Sequence, residues 1–203
     1  MKMTYCAALA AMLTLSAVIA STSHAGIVSF DASLLGSSES PPSGSPGTGN
    51  AMVFFDTTAN TMQVELTFIG LIGTTTASHI HAATATAGDG SAGVATTTPY
   101  FVGFPIGVTS GTYNSTLDMT LASSYNSAFI TANGGTAASA ETVLLASLEA
   151  GTAYLDIHTT VDPGGEIRGF LKQVPEPSSI MLAAFGLAGL AAWGWRRRKW
   201  SLA

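Results

Sequence analysis

Residues 154–171, YLDIHTTVDPGGEIRGFL, constrain the fold more than any other stretch of this chain. Two runs that alternate apolar and polar side chains flank a Pro-Gly-Gly turn, and a period of two fits a strand, whose successive side chains leave on opposite faces. Ala153, Leu155 and Ile157 share one face, leaving Tyr154, Asp156, His158 and Thr160 on the other. Across the turn at Asp162–Gly165, Ile167 and Leu171 point inward, with Glu166, Arg168 and Phe170 opposite. A register that sets Thr160 against Glu166 places His158 against Arg168 and Asp156 against Phe170, with Asp156 diagonally within reach of Arg168. The expectation is a hairpin with its oily side in a core and a polar ladder of Asp156, His158, Glu166 and Arg168 on a solvated face.

The same alternation recurs upstream. Met62, Val64, Leu66 and Phe68 alternate with Gln63, Glu65 and Thr67, so 51–55 and 61–69 read as a hairpin across Asp56–Asn60. ASHIHAATA and GTYNSTLDMTL are further strand candidates, 93–98 is expected to be extended, and 153–160 and 166–172 close the domain. ASSYNSAFITANGG opens with serines suited to a helix N-cap and stops at Asn133-Gly134-Gly135, and SAETVLLASLEAG runs as a second helix from a Ser139 cap to Gly151. Residues 36–50, rich in Gly, Pro and Ser, form a flexible loop. Many short strands, few helices and no βαβ rhythm predict a mainly β fold, a β-sandwich with short connecting helices.

The two ends carry much of the apolar content of a chain that is 47% hydrophobic and only 9% charged. Lys2, an apolar run from Cys6 to Ala20 and the triplet Ser23-His24-Ala25 form a signal peptide over 1–25, cut by signal peptidase before Gly26. The exported part then holds no cysteine, so its core rather than disulfides must hold it together. Behind VPEP, the stretch from Ile180 to Trp195 reads as a transmembrane helix over about 178–195. Arg196, Arg197, Arg198 and Lys199 keep its C-terminus cytoplasmic, so everything before Val174 lies outside. Residues 26–174 carry eleven carboxylates against Arg168 and Lys172 alone, a balance that excludes nucleic acid as a partner.

Few residues suit chemistry. His79 and His81 flank the core residue Ile80 and so share a face, about 6.6 Å apart along a strand. With His158 from a nearby strand they make a three-nitrogen set for zinc or copper; the competing reading is exposed imidazoles that only hydrogen-bond. There is no Gly-x-Ser-x-Gly, no activated cysteine and no paired carboxylates on one predicted face, and GDGSAG at 88–93 is a turn rather than a phosphate cradle. No catalytic residue is assigned and no enzyme is expected.

SHIHAATATAGDGSAG and LEAGTAYLDIHTTVDPGGEIRGFL resemble the CHRD (chordin-like) domain, a module of many exported bacterial proteins. The resemblance implies an immunoglobulin-like or superoxide-dismutase-like β-sandwich over 26–173 without catalytic activity. His79, His81, His158, Glu166 and Arg168 match its motif positions. Residues 174–203 resemble a PEP-CTERM sorting signal: Pro175-Glu176-Pro177, an apolar helix, then the basic cluster of Arg196, Arg197 and Arg198. That resemblance implies recognition by an exosortase-type membrane enzyme, cleavage near the Pro-Glu-Pro, and release to the cell envelope or extracellular matrix. The expected function is thus a secreted, non-enzymatic envelope or biofilm-matrix protein, with exopolysaccharide or other matrix proteins as partners and no cofactor. The alternative is an exported copper- or zinc-binding module built on the His-x-His strand.

Overall fold

The computed structural model describes residues 26–175 and 185–190. The signal peptide expected over 1–25 lies outside the described residues, as do Glu176, Pro177, Arg196, Arg197, Arg198 and most of the transmembrane helix expected over about 178–195. Among the described residues no helix is long and apolar enough to cross a membrane.

The body is mainly β. Eight strands, β1 (Ile27–Leu35), β2 (Thr48–Asp56), β3 (Thr61–Ile69), β4 (Thr75–His81), β5 (Gly111–Asp118), β6 (Tyr154–Thr159), β7 (Ile167–Phe170) and β8 (Lys172–Gln173), form one antiparallel sheet. Its order is β4-β6-β7-β1-β2-β3-β5, with β8 also pairing β1. Alternation sets the inner face. Val28, Phe30 and Leu34 of β1, Val53 and Phe55 of β2, and Met62, Val64 and Leu66 of β3 are buried in one apolar cluster with Ile80, Leu155, Ile157 and Ile167 from the far end of the sheet. The two halves of the sheet therefore curl around a shared core.

Three expectations need correction. β1 lies in the middle of the sheet, although Ile27–Leu35 was not read as a strand; Ser29, Asp31 and Ser33 alternate with its buried residues, so the signal was present. The closing hairpin is shifted by two residues, pairing Asp156 with Arg168, Ile157 with Ile167 and Tyr154 with Phe170. The reason is a wider turn: Glu166 N–H donates to Ile157 O at 2.8 Å and Gly165 N–H to Asp162 O at 3.1 Å, which leaves Thr160 and Glu166 outside the ladder. Helix starts also differ. α1 (Ser127–Ala132) is capped by Asn126 rather than by the serines before it, and α2 (Ala137–Glu149) by Thr136, with Ser139 at the third position closing a reciprocal capping box. α2 buries Ala140, Leu144, Ser147 and Leu148, one stripe at helical spacing.

The largest correction concerns the outer face of β4, β6 and β7. It is covered, not solvated. Residues 92–109 run along the free edge of β4, where Ala95 N–H donates to Ile80 O, Phe101 N–H to Ser78 O and Gly107 N–H to Thr75 O. From the other side the loop after β1 is laid across the hairpin: Ser43 Oγ donates to Glu166 O at 2.7 Å and Ser45 Oγ to Glu166 Oε1 at 2.6 Å. That loop, expected to be flexible over 36–50, is anchored at these points, and its last three residues belong to β2.

Candidate functional site

β4 and β6 pair directly, with His79 opposite Asp156, Ile80 opposite Leu155 and His81 opposite Tyr154. Ile80 and Leu155 face the core, so strand parity puts His79, His81, Asp156 and His158 together on the opposite face, under the covering loops. Both readings of the imidazoles, metal ligation and exposed hydrogen bonding, assumed a wet face. In the fold His79 and His81 are only 6% and 8% exposed and Asp156 2%, while His158 is half-buried.

Each imidazole is oriented by a backbone carbonyl. His79 Nδ1 lies 3.0 Å from Pro99 O, His81 Nδ1 2.8 Å from Ala92 O and His158 Nδ1 3.0 Å from Pro163 O. A carbonyl only accepts, so each Nδ1 carries the hydrogen and the neutral ring presents its lone pair at Nε2. The ligating nitrogens of the three rings all lie within 4.8 Å of one another, and His158 Nε2 is 3.0 Å from His79 Nε2. His81 Nε2 is buried with no hydrogen-bond partner. Burial favours the uncharged form, pushing His79 down to about 3, with His81 and His158 adding to the shift, and His81 down to about 4. His158 is lowered for the same reason. At neutral pH the cluster is three uncharged nitrogen donors converging on one point.

Asp156 lies beneath them. Its Oδ2 is 3.7 Å from His158 Nε2 and 3.8 Å from His81 Nε2, while buried Oδ1 meets no N–H or O–H donor of a neutral or basic side chain and the carboxyl group stands against that of Glu39, with which it shares a proton. Behind it stand Glu39 and Arg168. The Arg168 guanidinium donates through Nε to Ser38 O at 2.5 Å, lies 3.7 Å from Glu39 Oε2, and sits 4.7 Å over the Tyr154 ring, which itself stacks on His81 at 4.6 Å. Burial raises Glu39 to about 7, and it raises Asp156 well above the carboxylate range, with the neighbouring Glu39 charge adding to the effect. Gly165, at φ +128°, makes room for the pair: a Cβ there would come within 2.8 Å of both Asp156 oxygens and 2.9 Å of Glu39 Oε1.

The sequence-selected residues thus divide. His79, His81, His158 and Asp156 converge, and Arg168 supports them from behind. Glu166 does not join them; its carboxylate accepts from Ser45 Oγ, Thr159 Oγ1, Ile72 N–H and Gly73 N–H, tying three loops together. Of the sorting-signal residues only Pro175 is described, and no described contact brings it to the cluster. Sequence reasoning missed Glu39 and Tyr154. Tyr154 shares the parity of His158 and was there to be read, and Glu39 is the only charge in a Ser-, Pro- and Gly-rich loop.

A family model for the CHRD domain matches residues 30–171, and a model for the PEP-CTERM protein-sorting motif matches residues 173–199. No curated protein and no solved structure matches the chain.

Proposed function

Because this chain belongs to the CHRD domain family and carries a PEP-CTERM protein-sorting motif directly behind that domain, we propose that it is an exported, non-enzymatic module. Signal peptidase releases its N-terminus, the C-terminal segment holds it with the body outside, and an exosortase-type enzyme cuts near Pro175-Glu176-Pro177 and frees it to the envelope or extracellular matrix. There its curled sheet, read as an immunoglobulin- or dismutase-like sandwich, meets exopolysaccharide or matrix proteins. One observation carries the release step. β8 ends at Gln173 and Val174 N–H donates to Ser29 O at 2.8 Å, so a cut at the Pro-Glu-Pro removes no strand among the described residues. Intact-mass analysis of the secreted protein is expected to give a chain ending near 175–177. Retention of residues 178–203 in every molecule would sink release by cleavage.

A second reading, metal binding by His79, His81 and His158, is favoured by the three Nε2 lone pairs turned toward one another in a site where His79 and His81 are buried and His158 half-buried. Three neutral imidazoles suit zinc or copper. Calorimetric titration of the detergent-solubilised chain with Zn(II) and Cu(II) at neutral pH is expected to give one site per chain, lost in the His79→Ala, His81→Ala double variant. Equal affinity in that variant would remove the reading.

A further inference from the structure

We infer that Asp156 is the fourth ligand of this site, closing a tetrahedral three-nitrogen, one-oxygen centre that holds zinc with no open position. The inference rests on the three-histidine reading and deepens it. Four donors at about 2.0–2.1 Å from a zinc ion sit at the corners of a tetrahedron whose edges are about 3.3 Å. Three of the six edges bracket that length: 3.0 Å from His79 to His158, 3.7 Å from Asp156 to His158 and 3.8 Å from Asp156 to His81. Shifts of a few tenths of an ångström adjust these three edges, and the His81 ring closes on the other two imidazoles from up to 4.8 Å.

Two further observations point to the same ligand. The Asp156 side chain is only 3% exposed and turns Oδ2 toward His81 Nε2 and His158 Nε2, while His81 Nε2 is buried without a hydrogen-bond partner. Buried polar atoms are ordinarily paired, and an unpaired one is costly. A cation between Asp156 Oδ2 and the imidazoles supplies the partner that His81 Nε2 lacks. The surroundings also suit it. Carbonyls of Pro99, Ala92 and Pro163 fix each imidazole through its far nitrogen, the arrangement that orients metal-bound histidines. Arg168, one layer back, pairs with Glu39 and so leaves Asp156 as the carboxylate facing the nitrogens. A site filled by four protein donors has the form of a structural centre, since catalytic zinc keeps one position for water or substrate.

The test uses the full-length chain in detergent, loaded with Co(II) in place of zinc. The expected spectrum has the intense visible absorption of a four-coordinate ion, unchanged when azide is added. An azide-induced shift would show an open position and overturn the closure without recourse to any variant. Asp156→Asn, which keeps the side-chain shape, is expected to weaken Zn(II) binding roughly 10–100-fold and to render the Co(II) spectrum sensitive to azide. Unchanged affinity and spectrum in a folded Asp156→Asn protein would remove Asp156 from the ligand set while leaving the three histidines standing. Absence of zinc binding in the wild-type chain would instead remove the histidine reading itself.

Discussion

His158 Nε2 lies 3.0 Å from His79 Nε2, although both rings spend their Nδ1 hydrogens on backbone carbonyls. Neither nitrogen has a proton to offer the other in the neutral state, so two lone pairs confront each other across a hydrogen-bond distance. Something positive between them turns a repulsion into two bonds. The following expectations come from this contact and from the network that holds it.

Metal removal should lower the thermal stability of the wild-type chain and leave the His79→Ala, His81→Ala double variant unmoved. Ligand at 100 times its dissociation constant adds about 2.7 kcal/mol to a folded state that alone binds it. For a body of this size that corresponds to a midpoint shift of roughly 5–10 °C. Melting curves with and without a strong chelator measure it, and a chelator effect of equal size in both proteins would contradict the assignment.

Arg168→Met should cost about 3–5 kcal/mol, because it strands the Glu39 carboxylate in a dry site. Arg168 is 4% exposed, and its guanidinium makes contacts to Ser38, Glu39 and Tyr154 that methionine cannot replace. Adding Glu39→Gln should recover a large part of the loss. Urea denaturation of both single variants and the pair gives the coupling directly, and additive losses would mean that the two side chains act independently.

Glu166→Gln should destabilise the fold by about 2–4 kcal/mol at neutral pH, since a charged acceptor of several hydrogen bonds is replaced by an amide that points a donor at N–H groups. Burial raises the Glu166 pKa, but the bonds from Ser45, Thr159, Ile72 and Gly73 outweigh it and leave the group below its ordinary value of 4.5. A depressed carboxylate contributes its stability above the unfolded pKa and loses it as pH falls through the folded one. The gap between wild type and variant should therefore be full at pH 6–7 and close below about pH 4.5. A gap independent of pH from 7 to 3 would show that the charge is not what matters.

Gly169→Ala should destabilise by about 1–3 kcal/mol through overpacking alone. A methyl group there would run into the backbone carbonyl of Ser33, where β7 passes β1 with a single paired position, Leu35 with Arg168. Equilibrium unfolding reports the cost, and a stability equal to wild type would mean that the strands separate freely at this point.

Strand parity was the legible part. It put Leu155 and Ile157 in the core and turned His79 with His81, and Asp156 with His158, away from it, since side-chain direction along a strand follows from residue number alone, but only the pairing of β4 with β6 joins the two sets on one face. What lies over that face does not follow from parity. The carbonyls of Ala92, Pro99 and Pro163 that aim the imidazoles come from irregular segments whose paths are fixed by long-range contacts, and backbone groups leave no mark in residue type. Glu39 illustrates the same limit: its loop has the composition of a mobile linker, yet Glu166 and Arg168 fasten it from more than a hundred residues away. The hairpin register failed because turn chemistry was counted as four residues, while Thr160 and Glu166 also left the ladder.

The course of β7 and β8 along β1 decides how this protein is held. The chain passes Leu35 at Arg168 and leaves beside Ser29 at Val174, roughly 20 Å further along the strand at about 3.3 Å per residue. A leash attached at that point pulls on β1 six residues along from Leu35, the position paired with Arg168 behind the imidazoles. Severing it changes where the molecule can travel and leaves every described strand pairing in place.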